Sequence, residues 1–274
     1  MTVRLERPLL LVGCGKMGSA MLSGWQADGI AAGGIFVVEP QGPAAVGAAG
    51  SGVDVVASDG ELPGDLDPEV VVFAVKPQQM AEVVPQYRRF ARSGTLFVSI
   101  AAGTTIGFFE DALGEAAAIV RSMPNTPAAI GRGITVACPN ARASEAQAAM
   151  AQALLSAIGE CHMVEQEALL DPVTAVSGSG PAYVFLLIEA MAEAGVAAGL
   201  PRDLAARLAL VTVGGAGQLA LQSAEAPAQL RENVTSPGGT TFAALQVLMA
   251  QDGMAPLLEK AIAAATARSR ELAG

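Results

Sequence analysis

An apolar run, Leu9–Val12, passes directly into Gly13-Cys14-Gly15-Lys16-Met17-Gly18, and nothing else in the 274-residue chain restricts its fold as much. This is G-x-G-x-x-G set between a predicted strand and a predicted helix, Met17–Asp28. In such a loop Gly13 allows the tight turn, Gly15 lets a pyrophosphate approach the backbone, and Gly18 lets helix pack on strand. The helix N-terminus then offers free amides and the positive end of its dipole to phosphate. A plain tight turn could use the same glycines. What favours the nucleotide-binding reading is the pattern that follows.

Seven more β-rich runs alternate with helical stretches: Ile35–Glu39, Val53–Val56, Val70–Val75, Leu96–Ile100, Ile119–Arg121, Ile134–Cys138 and Cys161–Val164, with a helix expected over Gln78–Ala91. Unbroken apolar runs such as Val70–Val75 suit strands buried on both faces of a mainly parallel sheet. Repeated βα alternation reads as a doubly wound α/β domain, here residues 1–164. After Val164 strand signals stop. Pro181 opens a helix that runs to about Ala198 and ends at Gly199, and further helices are expected at Pro201–Leu221, Pro227–Val234, Thr241–Ala250 and Pro256–Leu272. Residues 165–274 therefore read as an all-helical domain. Leu186, Leu187 and Ile188 are consecutive, and Leu208–Val213 is apolar at all but Thr212. Helices apolar on several sides must be covered on several sides, so a partner subunit is expected, in a homodimer or a larger homo-oligomer.

Apolar residues make up 52% of the chain and charged ones 15%, which excludes a disordered protein. The net charge of −10 argues against nucleic acid and against an acidic membrane surface as partners. Three dispersed cysteines, Cys14, Cys138 and Cys161, fit reduced thiols in a cytoplasmic protein. Met1–Pro8 carries no apolar signal core, and Glu189 and Glu193 are expected to interrupt the longest apolar stretch short of the ~18 residues of a membrane span. His162 is the single histidine, so no His-rich metal site is expected, and Lys16, Lys76 and Lys260 are the only lysines. Few side chains remain to act as a base near neutral pH.

Within this frame three places can carry chemistry. Glu39 closes the second strand, where an acid binds the adenosine ribose hydroxyls of NAD and repels a 2′-phosphate. It lies 26 residues after Gly13, beyond the usual ~20, and a surface glutamate at a strand end would look the same. Ala74-Val75-Lys76-Pro77 ends the fourth strand and puts Lys76 on the carboxyl rim of the sheet, where ligands sit; a solvated turn lysine fits equally. Asn233-Val234-Thr235-Ser236-Pro237-Gly238-Gly239-Thr240-Thr241 opens a helix with two glycines and two hydroxyls. Its successive amides can form an anion nest for a carboxylate, and Thr241 adds a hydroxyl. On spacing alone it is also a capped turn. Ser177-Gly178-Ser179-Gly180-Pro181 reads mainly as a close chain approach before the long helix.

Taken in order, the glycine loop with Met17, Ala74–Pro77, Arg121-Ser122-Met123-Pro124-Asn125-Thr126-Pro127, Ser177–Tyr183 and Ser236–Thr241 closely resemble the pyrroline-5-carboxylate reductase family over nearly the whole chain. The resemblance implies a Rossmann-type dinucleotide-binding domain followed by an all-helical dimerisation and substrate-binding domain. It implies NADPH or NADH as cofactor, held by Gly13, Cys14, Gly15, Lys16, Met17, Gly18, Glu39, Ala74, Val75, Lys76 and Pro77, with Glu39 leaning toward NADH. It implies that amides at Gly239, Thr240 and Thr241 hold the carboxylate of pyrroline-5-carboxylate and that the Thr241 hydroxyl, the catalytic group, lies near the ring nitrogen. Asn233 and Glu167 match positions lining the same pocket, although Glu165 is a near neighbour of Glu167. No metal is implied.

The residue inventory agrees. A protonated cyclic imine is already electrophilic, so a hydride can add without a strong base, whereas oxidising a hydroxy acid needs one. The helical domain holds only Lys260, near its end, and no histidine. Two other readings stay open: a reductase of a related cyclic imine, and a non-catalytic dinucleotide-binding regulatory protein.

Overall fold

The apolar run Leu9–Val12 forms strand β1, buried at all four residues. In the computed structural model, which describes residues 4–46, 52–91 and 94–273, β2 (Ile35–Val38), β3 (Val53–Val56), β4 (Val70–Phe73), β5 (Leu96–Ser99), β6 (Ala118–Met123), β7 (Gly133–Pro139) and β8 (Gly159–Met163) complete one sheet. Its order is β3-β2-β1-β4-β5-β6-β7-β8. Pairing is parallel except between β6 and β7, where Arg121 lies opposite Cys138. The first six strands have the order of a doubly wound nucleotide-binding sheet, in which the sequence order of the parallel strands switches between β1 and β4.

Alternate residues of each strand feed two separate cores. Leu9, Leu11, Val70 and Val72 face Met21 and Trp25 of helix α1 (Lys16–Asp28). Leu10, Val71, Phe73 and Phe97 face an aromatic cluster on the other side with Tyr87 and Phe109. Such a sheet must be apolar at every position, which is why its strands are continuous apolar runs.

Gln78–Ala91, expected to be one helix, is instead a 3-10 turn at Pro77–Gln79, a single α turn, α2 (Met80–Val83), and a 3-10 stretch over Val84–Phe90. Pro85 has no N–H for the carbonyl of Ala81 and its ring crowds it, so the α pattern stops there. Two helices carry the crossovers that follow. In α3 (Ile106–Leu113) the Thr105 hydroxyl accepts the Phe108 amide. In α4 (Glu145–Ser156) Ser144 and Gln147 form a reciprocal capping box. Trp25 donates its ring N–H to the Leu154 carbonyl at 2.8 Å, tying α1 to α4.

Beyond β8 the regular elements among the described residues are all helical: a 3-10 turn at Glu167–Leu169, α5 (Leu170–Val173), a π turn at Thr174–Gly178, α6 (Gly180–Ala197), α7 (Arg202–Gln222), α8 (Pro227–Asn233), α9 (Thr240–Leu248) and α10 (Met254–Ala273). The chain divides into two compact units. One is Met1–Gly178 together with Ala265–Gly274, and the other is Ser179–Ala264. The last turns of α10 thus belong to the first unit, where buried Ser269 donates to Asp171 at 2.8 Å.

Within the second unit α6 buries no residue, and α7 buries only Ala205 and Ala209. Phe185, Leu186, Leu210, Val211 and Val247 are each at least half exposed. The sequence-based expectation of a short apolar stretch is corrected here. Glu167–Ala197 and Arg202–Gln222 are each long and apolar enough to cross a membrane, with mean hydropathies of 1.3 and 1.5. The reason is continuity: α5 and the π turn run to within one residue, Ser179, of α6, and Pro172 to Ile188 carries no charge ahead of Glu189.

Candidate active site

The glycine loop has the shape its sequence implies. Gly13 sits at φ +87°, and a Cβ there would lie 2.7 Å from Val75 Cγ1. A Cβ on Gly18 would lie 2.6 Å from the Gly13 carbonyl oxygen. Gly15, by contrast, is exposed, and a Cβ on it would meet nothing within 4 Å. Two glycines therefore pack the loop against β4 and α1 while the third leaves room for an incoming group. Helix α1 begins at Lys16, and no side chain caps Gly15, so its first amides are open to an anion.

Glu39 belongs to this loop. Its Oε2 accepts the Cys14 amide at 2.9 Å and its Oε1 accepts the Gln41 amide at 3.2 Å. The carboxylate thus stands at the end of β2, directly against the turn. Burial pushes the Cys14 thiol above its ordinary value; a hydrogen bond with Ser19 opposes this, and the Glu39 charge adds to it. Ala74, whose amide bonds the Val12 carbonyl at 2.8 Å, and Val75 abut Gly13, while Lys76 is exposed and Pro77 opens the 3-10 turn. Met17 is half-buried and packs on the core beneath α1. A groove of about 480 Å³ runs along α1, but it reaches the glycine loop only at Lys16 and holds no other titratable group.

Farther along the same rim, β6 carries the Arg121–Pro127 motif. Ser122 donates to the Ser99 carbonyl at 2.8 Å, and Asn125 accepts the Ile134 amide at 2.9 Å, which pins the motif to β5 and β7. Glu167 stands in this unit, where its Oε1 takes both the Arg121 guanidinium at 2.7 Å and the Ile106 amide at 2.8 Å. The motif signals its loop from sequence, but the pairing of Arg121 with Glu167 has no local signature.

The second unit holds the Asn233–Thr241 stretch. Gly238 takes φ +71°, the left-handed conformation that suits glycine, and the Gly239 amide bonds the Ser236 carbonyl at 3.0 Å. Helix α9 then starts at Thr240 with Gly239 as its cap and no side-chain cap bond. The leading amides of Thr240, Thr241 and Phe242 have no partner within the helix. Thr240 is exposed and Thr241 half-buried. Asn233 lies nearby in sequence and is held at both ends of its amide: it donates to Glu225 at 2.9 Å and accepts from Gln229 at 2.9 Å. Glu225 carries no sequence signal of this contact and reads as one more surface acid. Gly239, Thr240, Thr241 and Asn233 thus occur together in one unit, while Glu167 occurs in the other.

Among the described residues no three His, Cys, Asp or Glu side chains cluster so as to hold a metal. The sheet order, the glycine loop and the acid at the end of β2 define a dinucleotide-binding protein of the Rossmann type. Residues 167–272 match the family model described as pyrroline-5-carboxylate reductase dimerisation, and residues 9–103 match that of the NADP oxidoreductases dependent on coenzyme F420. A pyrroline-5-carboxylate reductase of Pseudomonas aeruginosa is 44% identical over 97% of this chain and 96% of its own length. The chain belongs to the pyrroline-5-carboxylate reductase family. Two solved structures share its fold and much of its sequence. The pyrroline-5-carboxylate reductase from Coxiella burnetii has a TM-score of 0.90 and 34% identity over 98% of this chain and all of its own. The Plasmodium falciparum pyrroline carboxylate reductase, solved with NADP bound, has a TM-score of 0.81 and 30% identity over 99% of this chain and all of its own. The protein is an NAD(P)H-dependent oxidoreductase.

Proposed function

We propose that this chain reduces the C=N bond of 1-pyrroline-5-carboxylate to give L-proline, the last step of proline biosynthesis. One observation carries the reading beyond the family match: helix α9 begins with open amides behind Gly238-Gly239, a carboxylate site that needs no arginine. Gly239, Thr240 and Thr241 hold the substrate carboxylate there. The Thr241 hydroxyl faces the ring nitrogen and bonds it as it becomes an amine. Asn233, itself oriented by Glu225 and Gln229, lines the same pocket.

The cofactor side fits a reduced dinucleotide. Gly15 leaves space for a pyrophosphate, the amides at the start of α1 neutralise it, and Ala74, Val75, Lys76 and Pro77 border it at the sheet rim. When bound, the nicotinamide supplies the hydride for the imine carbon. The protein's own task is orientation: it holds the carboxylate, presents the C=N carbon and offers a hydrogen bond to nitrogen, with the nitrogen's proton already in place. No side chain has to act as a strong base. Glu39, fixed against Cys14, stands where a 2′-phosphate would come close, which favours NADH over NADPH.

The exposed apolar faces of α6, α7 and α9 become the interface of a homodimer or larger homo-oligomer, and the dimerisation family model over residues 167–272 supports that assignment. The acidic chain and its dispersed cysteines support a cytoplasmic enzyme. The test is oxidation of NADH and NADPH followed by absorbance with pyrroline-5-carboxylate and, separately, with other cyclic imines. Turnover of pyrroline-5-carboxylate at a higher kcat/KM than the other imines is expected. Preference for another imine, or no turnover at all, would overturn the proposal.

A further inference from the structure

We infer that Arg121 is a positioning residue of the reductase, acting through Glu167 and Met123 rather than by touching substrate; the inference rests on the reductase reading above. Arg121 lies near the carboxyl end of β6, in register with Ser99 at the end of β5. That is the rim at which open parallel sheets hold their ligands. Its side chain is only 5% exposed, so its charge is matched inside the protein. The match is Glu167, whose Oε1 is shared between the guanidinium and the Ile106 amide at the start of α3. The helix dipole of α3 and Arg121 thus hold one carboxylate from two sides.

A second contact makes the arrangement a closed loop. Gly178, at the end of the π turn, lies so close to β6 that a Cβ on it would sit 2.3 Å from the Met123 Cε. The segment from Glu167 to Gly178 is therefore fastened to β6 twice, at Arg121 by charge and at Met123 by close packing. Between the two fastenings stands the strand end that launches Met123–Pro127. A single-turn π segment is itself uncommon and concentrates at functional sites. Removing the guanidinium would free Glu167 and loosen the strand end, and a displacement of about 1 Å at a reacting centre is enough to cost roughly 100-fold in rate.

The test uses the full-length enzyme and three variants: Arg121→Met, Arg121→Lys, and the double variant Arg121→Met/Glu167→Leu. The double variant strands no charge, and replacing a buried ion pair by apolar residues is often neutral for stability, so it keeps the measurement open where Arg121→Met alone fails to fold. NADH-binding sites are counted by fluorescence titration, and the pyrroline-5-carboxylate-dependent rate is expressed per site. Arg121→Met and the double variant should bind NADH with unchanged affinity and lose roughly 10- to 100-fold in rate per site. Arg121→Lys, which keeps the charge without the planar fork, should recover part of it. A fall in the number of sites with a wild-type rate at each remaining site would make the pair a stability device only and overturn the inference. Wild-type turnover with unaffected variants would overturn it too, leaving the reductase reading intact. A wild-type enzyme that does not reduce pyrroline-5-carboxylate would overturn both.

Discussion

Replacing Glu39 by glutamine removes one negative charge and little else. The side-chain carbonyl of glutamine can still accept the Cys14 amide that Glu39 accepts at 2.9 Å, so the turn should keep its shape. Two unit charges about 4 Å apart interact by about 1 kcal/mol in water and about 4 kcal/mol at an effective dielectric of 20. Glu39 is half-buried, which puts its repulsion of a 2′-phosphate between those limits, and the phosphate's charge of about −1.5 to −2 moves it upward. At 1.4 kcal/mol per decade, Glu39→Gln should shift the ratio of kcat/KM for NADH over NADPH toward NADPH by roughly 5- to 1,000-fold. Most of the shift should appear as a lower KM for NADPH. Initial rates at saturating pyrroline-5-carboxylate with each cofactor varied give both values. Because the groups are partly exposed, added salt should narrow the wild-type preference and leave that of the variant nearly unchanged. A wild type that already favours NADPH, or a ratio that Glu39→Gln does not move, would refute the role given to this carboxylate.

Thr241→Val keeps the branched shape and removes the hydroxyl; a hydrogen bond worth about 0.5–3 kcal/mol predicts a loss of roughly 3- to 100-fold in kcat/KM with a lower kcat and unchanged NADH binding, measured by steady-state kinetics. Sedimentation should find a dimer or larger ring at every concentration that retains activity, since obligate interfaces commonly bury over ~2,000 Å², and an active monomer would contradict this. Burial pushes the Cys161 thiol up to about 11, so its alkylation by iodoacetamide, followed by mass spectrometry, should keep accelerating with pH well past the range of a free cysteine.

The parts of this fold that are legible in the sequence are those in which every residue has the same task. β1, β4 and β5 are buried on both faces, and a run such as Val70–Phe73 has no other stable use. Helices α6 to α8 are punctuated by Pro181, Gly199, Pro201 and Pro227, each acting within a few residues of itself. The capping box at Ser144 and Gln147 is equally local and would have placed α4. The reversal of β7 against β6 is not legible, because strand direction is decided by the connection and the partner rather than by strand composition. Nor is the bond between Arg121 and Glu167, which joins residues 46 apart. Of the candidate site, the Ser236–Thr241 loop was visible because glycine and hydroxyl residues before a helix are unusual together. Glu225 was invisible, because its partner Asn233 sits one helix later.

The return of α10 to the first unit has a consequence for how the chain is made. The residues that close the first unit, from Ala265 onward, leave the ribosome only after every residue of the second unit. Until they emerge, Asp171 lacks Ser269, and Gly103 lacks the Leu272 backbone that lies 3.2 Å from its Cβ position. The helices of the second unit are therefore synthesised in full while the sheet unit is still missing its final piece. In this chain early residues wait for late ones, and the nucleotide-binding unit is finished only after the helical unit inserted in it has been made.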